Sequence, residues 1–224
     1  MKNRSDNSQR ERQIYRAIEA QLIKDHGPNH GLMISPSYLR AEVSLSSTKA
    51  KYSFALKPSG GEVATEVKLD RNDLFVISRL GMFLTKQFAV SIGKEVPQSY
   101  PNIIEFPAVA GLVAADLEAI YNGFTSLKIG SVVNIENLSN QEFRYAPDTQ
   151  QAAATTKSSF NLDDATYKPA PLIYLHGTMD IQLTTEFPSY ASIALTPTDA
   201  VANGQVKLVM IPFGFLIKGG ASKK

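Results

Sequence analysis

Between residues 31 and 105, apolar and polar residues alternate with a period of two. The clearest run places apolar side chains at 39, 41, 43 and 45 with polar ones between them, and similar runs cover 51–57 and 62–69. Successive side chains of a β-strand point to opposite faces, so this alternation indicates strands with one buried and one solvated face. Turn-forming residues separate the runs, as at Pro58-Ser59-Gly60-Gly61. The pattern predicts an antiparallel sheet.

The rest of the chain predicts further strands. Residues 74–84 are denser in apolar side chains, which predicts a central strand with a bulge or bend at Gly81. Shorter strands are predicted within 88–92, 127–129, 133–135, 143–145, 172–175, 179–183 and 192–195. Pro212 and Gly214 interrupt the last apolar run, 206–217, which predicts either two short strands or one bent edge strand.

The number of strands decides the fold class. The sequence predicts about ten to thirteen short strands, with no internal repeat and no alternation of strands with helices. Antiparallel strands in this number cover their apolar faces by closing into a barrel or by stacking as two sheets. We therefore predict a mainly β protein, an antiparallel β-sandwich of jelly-roll type with an N-terminal amphipathic helix.

The first 30 residues differ from the rest because their apolar residues follow a helical spacing. The residues of this stripe are Ile14, Ile18, Leu22 and Ile23. They predict an amphipathic helix that begins near Ser8, with Glu11 completing a capping box, and ends before Gly27-Pro28. A short isolated helix is marginal in water, so the stripe must dock on something. Two alternatives stay open: the helix packs on its own domain, or it is an assembly arm that docks on a neighbouring copy or a membrane surface.

These patterns divide the chain into three parts. An N-terminal arm spans 1–30, a jelly-roll-like β-sandwich spans 31–218, and a tail at 219–224 is expected to be flexible. A second helix is predicted within 108–121. The stretch 147–171 is rich in small and polar residues, which predicts a long surface loop that is either functional or disordered.

The composition leaves few residues for catalysis or metal binding. The chain has no cysteine and three histidines, which excludes disulfides, thiolate zinc sites and cysteine nucleophiles. It has no G-x-S-x-G or GK[ST] motif, so neither a serine-hydrolase elbow nor a phosphate loop is expected. Basic and acidic residues number 23 and 21, for a net charge of +2, which argues against a dedicated polyanion binder. We expect no catalytic residue, no cofactor and no metal site.

Individual polar residues are assigned structural roles. The glycine and proline between His26 and His30 prevent a helix from placing both on one face, so two solvated loop histidines are expected. His176 follows a predicted strand and is interpreted as a turn residue. Asp70-Arg71-Asn72-Asp73 and Asp163-Asp164 lack the glycine and terminal glutamate of a calcium loop, so they are expected to cap turns.

Neither a secretory signal nor a transmembrane helix is expected. The N-terminus is charged and no apolar run follows it. The apolar stretches elsewhere are shorter than the roughly 20 residues that a spanning helix needs. We expect the chain to be made and kept inside a cell, or packaged there.

The N-terminal arm carries a modest positive charge. Its arginines are Arg4, Arg10, Arg12 and Arg16, and nearby acidic residues offset them in part. They predict a weak contact with nucleic acid or an anionic lipid surface, in which the arginines neutralise phosphates. The alternative is a solvated helix face.

Several aromatic residues stand next to proline or glycine. They occur in Ser99-Tyr100-Pro101, Glu105-Phe106-Pro107, Glu186-Phe187-Pro188 and Pro212-Phe213-Gly214. Proline holds the chain in an extended form, and aromatic residues concentrate in interface cores. Such segments form subunit contacts in assembling proteins, whereas in a monomer they anchor loops in the core.

The organisation of the whole chain, together with the segments Leu69–Gly81 and Ile120–Leu127, resembles bacteriophage jelly-roll capsid proteins. The resemblance implies a virion structural protein that assembles into a closed shell around a genome, sometimes over an internal membrane. The implied partners are copies of the chain itself and other virion proteins, and the implied location is the virion, assembled in the host cytoplasm. The resemblance carries over no functional residue.

Two other function classes stay open. A β-sandwich binding module would recognise carbohydrate or another protein through its loops, with 147–171 as the recognition loop. A hydrolase would need an acid–base pair, and spacing alone does not rank Glu105, Asp116, Asp164 and Glu186 as its members.

Overall fold

A computed structural model describes residues 4–46, 49–60, 65–87, 97, 119–144, 165–188 and 205–221. The elements in chain order are helix α1 (Arg4–His26), β1 (Ile34–Tyr38), β2 (Ala41–Ser44), β3 (Lys51–Phe54), β4 (Leu74–Gln87), β5 (Phe124–Ile129), β6 (Val132–Ser139), a 3-10 helix (Asn140–Phe143), β7 (Thr166–Tyr167), β8 (Ile173–His176), β9 (Ile181–Glu186) and β10 (Gln205–Ile217). Every pairing between these strands is antiparallel.

The larger sheet is built around two long central strands. β10 pairs with β4 from Gln205 opposite Gln87 to Ile217 opposite Leu74. The other edge of β10 pairs with β1 and then with β2, and the other edge of β4 pairs with β8 and β7. The strand order is therefore β1/β2-β10-β4-β7/β8, in a six-stranded sheet.

The smaller sheet has the order β3-β9-β5-β6. Its β5–β6 hairpin turns at Gly130, whose φ of 59° lies in the left-handed region that favours glycine. The predicted strands on both sides of this glycine are confirmed.

One buried cluster joins the two sheets. Its members from the larger sheet include Phe75, Ile77, Leu208 and Met210, and its members from the smaller sheet include Tyr52, Phe54, Leu127 and Leu183. These are alternate residues of their strands, as the period of two requires. A mainly β fold of two antiparallel sheets with one N-terminal helix is thus confirmed.

Helix α1 covers the opposite face of the larger sheet. Ile14, Ile18 and Leu22 form a second buried cluster with residues that alternate with the core residues of β4 and β10. Those sheet residues are Leu74, Val76, Phe215 and Ile217. Of the two alternatives for the helix, packing on its own domain is the one that the structure shows. The helix starts at Arg4 rather than near Ser8, so the predicted capping box is wrong.

The interpretation of 206–217 as two strands or an edge strand is wrong, because β10 is one long central strand. Pro212 is tolerated there because it lies opposite the break between β1 and β2, where no ladder bond needs its missing N–H. The Pro212 carbonyl still accepts a hydrogen bond of 2.9 Å from the Leu39 backbone N–H.

The prediction of a bulge or bend at Gly81 is also wrong, because the bulge of β4 lies at Ser78. Gly81 pairs regularly with Ile211, whereas the register shifts between Phe213 and Gly214 and leaves Ser78 without an opposite residue on β10. Gly81 is required for space, since a Cβ there would lie 2.6 Å from the ring of Phe83.

Other differences concern chain ends and connections. Residues 65–69 make only one bridge, between Val67 and Arg40, in place of the strand predicted at 62–69. Residues 140–143 form a 3-10 helix and no strand. The end of the predicted 147–171 loop contains strand β7. The start of the tail is held rather than flexible, because the Gly219 N–H donates to Asp73 Oδ1 at 2.9 Å.

Some predictions fall outside the described residues. These are the strands at 88–92 and 192–195, most of the helix at 108–121, the loop residues 147–164 and the tail residues 222–224; residues 119–121 are helical. No helix in the described ranges has the length and apolar content to span a membrane.

Candidate functional site

Two grooves of the described chain lie beside helix α1. The apolar stripe of the helix faces the sheet because its members recur every four residues, close to one helical turn. The flanks of the helix do not close onto the sheet. A groove lies along the N-terminal half and another along the C-terminal half.

The first groove, here called the arginine groove, has a volume of about 490 Å³. It lies between α1 and the strands β1, β4 and β10. Its lining is Glu11, Arg12, Tyr15, Pro36, Ser37, Ser78, Arg79, Phe213, Gly214 and Phe215. The β4 bulge supplies its wall, because the register shift falls at Ser78 and Arg79.

Two arginines meet at this bulge. Arg10 Nη2 donates to the Ser78 carbonyl at 3.1 Å, and Ser78 Oγ donates to the Phe213 carbonyl at 3.1 Å. The guanidinium carbon of Arg79 lies 5.8 Å from the centroid of the Phe213 ring, within cation–π range. Partial burial and the positive charge of Arg79 lower the pKa of Arg10.

One carboxylate counters these charges. Glu11 Oε1 lies 3.8 Å from Arg79 Nη2, and the Glu11 side chain is more than half exposed. Such a pair is worth little, because solvent screens it. The lining of the groove together with Arg10 thus includes three arginines and one carboxylate.

The second groove, here called the histidine groove, has a volume of about 650 Å³. Ile18, Leu22 and Leu74 give it an apolar floor, and its polar lining includes Gln21, Asp25, His26, Tyr174, His176 and Thr178. Gln21 Nε2 donates to Asp25 Oδ2 at 2.8 Å. Burial and the charge of Asp25 raise the pKa of Tyr174. An apolar floor with several polar groups is typical of a ligand-binding cleft.

A hydrolase would need an acid–base pair, and the lining of the histidine groove includes both His176 and Asp25. The two residues come from different elements, β8 and α1, and share the lining of the groove. Within the described ranges, no three histidine, aspartate or glutamate side chains are grouped closely enough to hold a metal ion.

A buried ionic network ties β2 to β10 away from both grooves. Glu42 accepts hydrogen bonds from Arg40 Nε at 2.8 Å, Thr65 Oγ1 at 2.8 Å and Lys207 Nζ at 3.0 Å. Its side chain is 2% exposed. Burial opposes ionisation, but the hydrogen bonds from Lys207 and Thr65 and the charge of Arg40 outweigh it and lower the pKa of Glu42. The network connects β2 to β10 at the edge of the larger sheet and has a structural role.

The residues predicted for the assembly arm differ in burial. Ile14, Ile18 and Leu22 are buried against the chain's own sheet, whereas Ile23 is 43% exposed. The burial of the first three follows from their position on the helix face that meets β4 and β10.

The four arginines predicted to contact nucleic acid or lipid differ in their position relative to the arginine groove. Arg10 and Arg12 lie at the arginine groove, and Arg16 is exposed on the same helix outside its lining. The side chain of Arg4 lies outside the described part of the chain. Arg12 therefore shares one groove lining with Arg79, and Arg10 lies beside Arg79 at the β4 bulge.

The remaining candidates hold structural positions. His30 Nδ1 accepts the Leu32 N–H at 3.0 Å, whereas His26 is the last residue of α1. Both histidines are partly buried, so the prediction of two solvated loop histidines is wrong in part. The His176 carbonyl accepts the Met179 N–H at 3.0 Å, which confirms its turn position.

Among the acidic candidates, Asp73 is buried and caps the tail through Gly219, which confirms its capping role. Glu186 lies 3.3 Å from Lys51 in an exposed ion pair. Glu105, Asp116, Asp163 and Asp164 lie outside the described residues.

Sequence reasoning missed Arg79 of β4 and Tyr15 of α1 as residues of the arginine groove. Arg79 stands inside an apolar run, which hides it as a candidate, and Tyr15 has no motif around it. Phe213 was singled out only as an aromatic residue beside proline. Arg79 and Phe213 are brought together by the long-range pairing of β4 with β10, which no local pattern contains.

Comparison with protein-family models finds no match for this chain, and comparisons with curated proteins and with solved structures find none either.

Proposed function

We propose that the two sheets form a sandwich of jelly-roll type. β1 and β2 lie end to end along β10, and β7 and β8 lie end to end along β4, so each pair counts as one interrupted strand. The described chain then has eight strands, in the orders 1-8-3-6 and 2-7-4-5. Strand 1 pairs with 8, 2 with 7, 3 with 6 and 4 with 5, as in one long hairpin wrapped into two sheets. This nested pairing is the arrangement of a jelly roll.

We further propose that the chain is a virion structural protein that assembles with copies of itself into a capsid shell. The nested strand order is the observation that carries this proposal, because viral capsid proteins are a main user of this architecture. The fold alone does not fix function, so the surface must support it as well. Other virion proteins are the further partners proposed.

Two surface features favour assembly. Val132 and Val133 are 60% and 51% exposed on β6, an edge strand of the smaller sheet. Edge strands with exposed apolar residues are templates for contacts with another chain. The net charge of +2 lets identical copies approach without strong repulsion.

Sedimentation velocity and negative-stain electron microscopy over a range of protein and salt concentrations test the shell proposal. We expect species far heavier than the 24.5 kDa chain, and closed particles. Val133→Lys is expected to weaken assembly, whereas Met33→Lys, at an exposed residue outside the strands, is the matched control. A protein that stays at 24.5 kDa under all conditions contradicts the proposal.

The histidine groove favours a binding module as the second candidate. Its volume of about 650 Å³ lies within the range of small-molecule sites. A panel of mono- and disaccharides, tested by thermal shift, decides this alternative, because a ligand that binds the folded state raises the melting temperature. A rise that Thr178→Ala and Gln21→Ala abolish supports binding in this groove, and no rise with any sugar counts against carbohydrate recognition.

A further inference from the structure

We propose that the histidine groove binds a small aliphatic amine, with the ammonium group beside Asp25 and the alkyl body against Met179 and Tyr174. This ligand class goes with the binding-module candidate, on which the proposal rests, and it is independent of the shell function. An aliphatic amine differs from a sugar in carrying one charge on an apolar body.

The negative charge at one end of the groove favours a cation. Asp25 is in the last turn of α1, where the helix dipole carries partial negative charge, so a cation there stabilises both the carboxylate and the helix end. Among the described residues, the hydrogen-bond partner of the Asp25 carboxylate is the neutral Gln21 amide, at 2.8 Å. The described lining of the groove contains neither lysine nor arginine, and Lys24, in the same helical turn, lies outside it.

The charge of Asp25 acts on the opposite wall of the groove. Burial first, and then the charge of Asp25, raise the pKa of Tyr174. The two side chains come from different elements, α1 and β8, and both line the groove. An ammonium group between the two walls would therefore meet a carboxylate on one side and an aromatic side chain on the other.

The apolar part of the groove favours an alkyl body over a sugar. Ile18, Leu22 and Leu74 are at most 5% exposed and close the floor. Met179 is 45% exposed and lines the groove, so it offers apolar surface that a ligand can cover. An alkyl group gains free energy when it covers such surface, whereas a sugar hydroxyl placed there loses its hydrogen bonds to water.

Hydrogen bonds hold the walls of the groove in place. The Met179 N–H donates to the His176 carbonyl at 3.0 Å, and Lys57 Nζ donates to the Met179 carbonyl at 2.7 Å. The Ala221 N–H, at the C-terminal end of the described chain, donates to the Asn72 carbonyl at 3.0 Å. The groove is thus formed before a ligand arrives, as small-molecule sites usually are.

Saturation-transfer difference NMR of the full chain with n-hexylamine tests the proposal, because the method detects weak binding to particles of any size. Asp25→Asn is expected to weaken hexylamine binding about fivefold, the upper range for an exposed ion pair. n-Hexanol has the same alkyl body without the charge, so it is expected to bind the unmodified chain about fivefold less tightly than hexylamine does. Asp25→Asn is expected to leave hexanol binding unchanged.

The length of the alkyl chain tests the apolar contact separately from the charge. Each methylene added between n-butylamine and n-hexylamine is expected to strengthen binding up to about fourfold. Met179→Ala is expected to reduce that gain and to keep the preference for the amine over the alcohol, because the ammonium group binds at Asp25.

Matched controls separate the groove from general charge and surface effects. Glu19→Gln removes a carboxylate from an exposed position of the same helix, and Met33→Ala truncates a methionine that is 76% exposed, both outside the groove lining. Both controls are expected to bind hexylamine like the unmodified chain. Thermal unfolding checks that the variants are folded, and Asp25→Asn, at an exposed residue, keeps the test valid if Met179→Ala is unstable.

Three results overturn the proposal. They are no saturation transfer to hexylamine, equal binding of hexylamine and hexanol by the unmodified chain, and equal losses for Asp25→Asn and Glu19→Gln. A sugar that binds in the groove where hexylamine does not assigns the groove to carbohydrate instead. Sedimentation of the same samples decides the shell function separately: a chain that binds hexylamine beside Asp25 but remains monomeric supports the amine site and contradicts the shell.

Discussion

Replacement of Ile18 by alanine tests whether helix α1 is part of the folded domain. Ile18 is fully buried between the helix and the larger sheet, against a floor that includes Leu74, Val76 and Phe215. The change removes three buried carbons at about 0.8 kcal/mol each, or about 2.4 kcal/mol of transfer free energy. Space that the neighbours do not refill raises the expected loss of unfolding free energy to about 3–4 kcal/mol.

Ile23→Ala is the matched control for this substitution. It makes the same chemical change on the same helix, at a side chain that is 43% exposed. Its expected cost is about 0.5 kcal/mol, in the range of surface substitutions. Urea denaturation followed by circular dichroism measures both variants, and repetition at two protein concentrations separates folding from assembly.

The reasoning about α1 is refuted by either of two results. One is an equal, small effect of Ile18→Ala and Ile23→Ala on the free energy of unfolding. The other is a loss for Ile18→Ala that grows with protein concentration, because the stripe would then be docked on a neighbouring copy. A concentration-independent loss several times larger for Ile18→Ala supports packing on the chain's own sheet.

Three further substitutions test other parts of the fold by urea denaturation. Glu42→Gln is expected to cost about 3 kcal/mol at pH 7. The folded state lowers the pKa of Glu42 below 4.5, so this stabilisation is complete above that pH and is lost as the pH falls through the lowered value. The difference in unfolding free energy between variant and parent should therefore shrink in acid. Gly214→Ala is expected to cost more than about 3 kcal/mol, since its Cβ would lie 1.8 Å from the Val76 carbonyl oxygen; Gly130→Ala, in open space at positive φ, should cost only about 1 kcal/mol. Thr85→Val is expected to stabilise the chain by about 1 kcal/mol, because the buried Thr85 hydroxyl finds no hydrogen-bond partner in the described part of the chain; a destabilised variant would show that the hydroxyl is satisfied.

The parts of the fold that were predictable are those with a local cause. Alternation places Tyr52 and Phe54 on the same side of β3, and both are buried in the shared core. The apolar density of β4 reflects burial on both faces, since one set of its residues lies in the shared core and the alternate set lies in two other buried clusters, one of them under helix α1. Glycine and proline mark the end of α1 after His26 because they act on the backbone of their own segment.

The failures share a different cause, which is tertiary pairing. Pro212 reads locally as a strand breaker, yet the interruption between β1 and β2 makes room for it. The bulge falls at Ser78 because the register of β4 against β10 shifts there, and nothing in the residues around Ser78 predicts that shift. The arginine groove depends on this bulge, so its position was as unpredictable as the pairing that creates it.

The packing of α1 changes how an assembly role of the arm must be tested. Deletion of residues 1–26 is the direct test of an assembly arm. In the structure, that deletion uncovers Leu74, Val76, Phe215 and Ile217, so loss of folding and loss of assembly would coincide. For the helix to dock on a neighbour, it would have to leave its own sheet and take the same place on another copy, since identical sheets offer identical apolar surfaces. The exposed Ile23 lies outside the buried stripe, so a substitution there tests an assembly contact of the helix while the core beneath it stays closed.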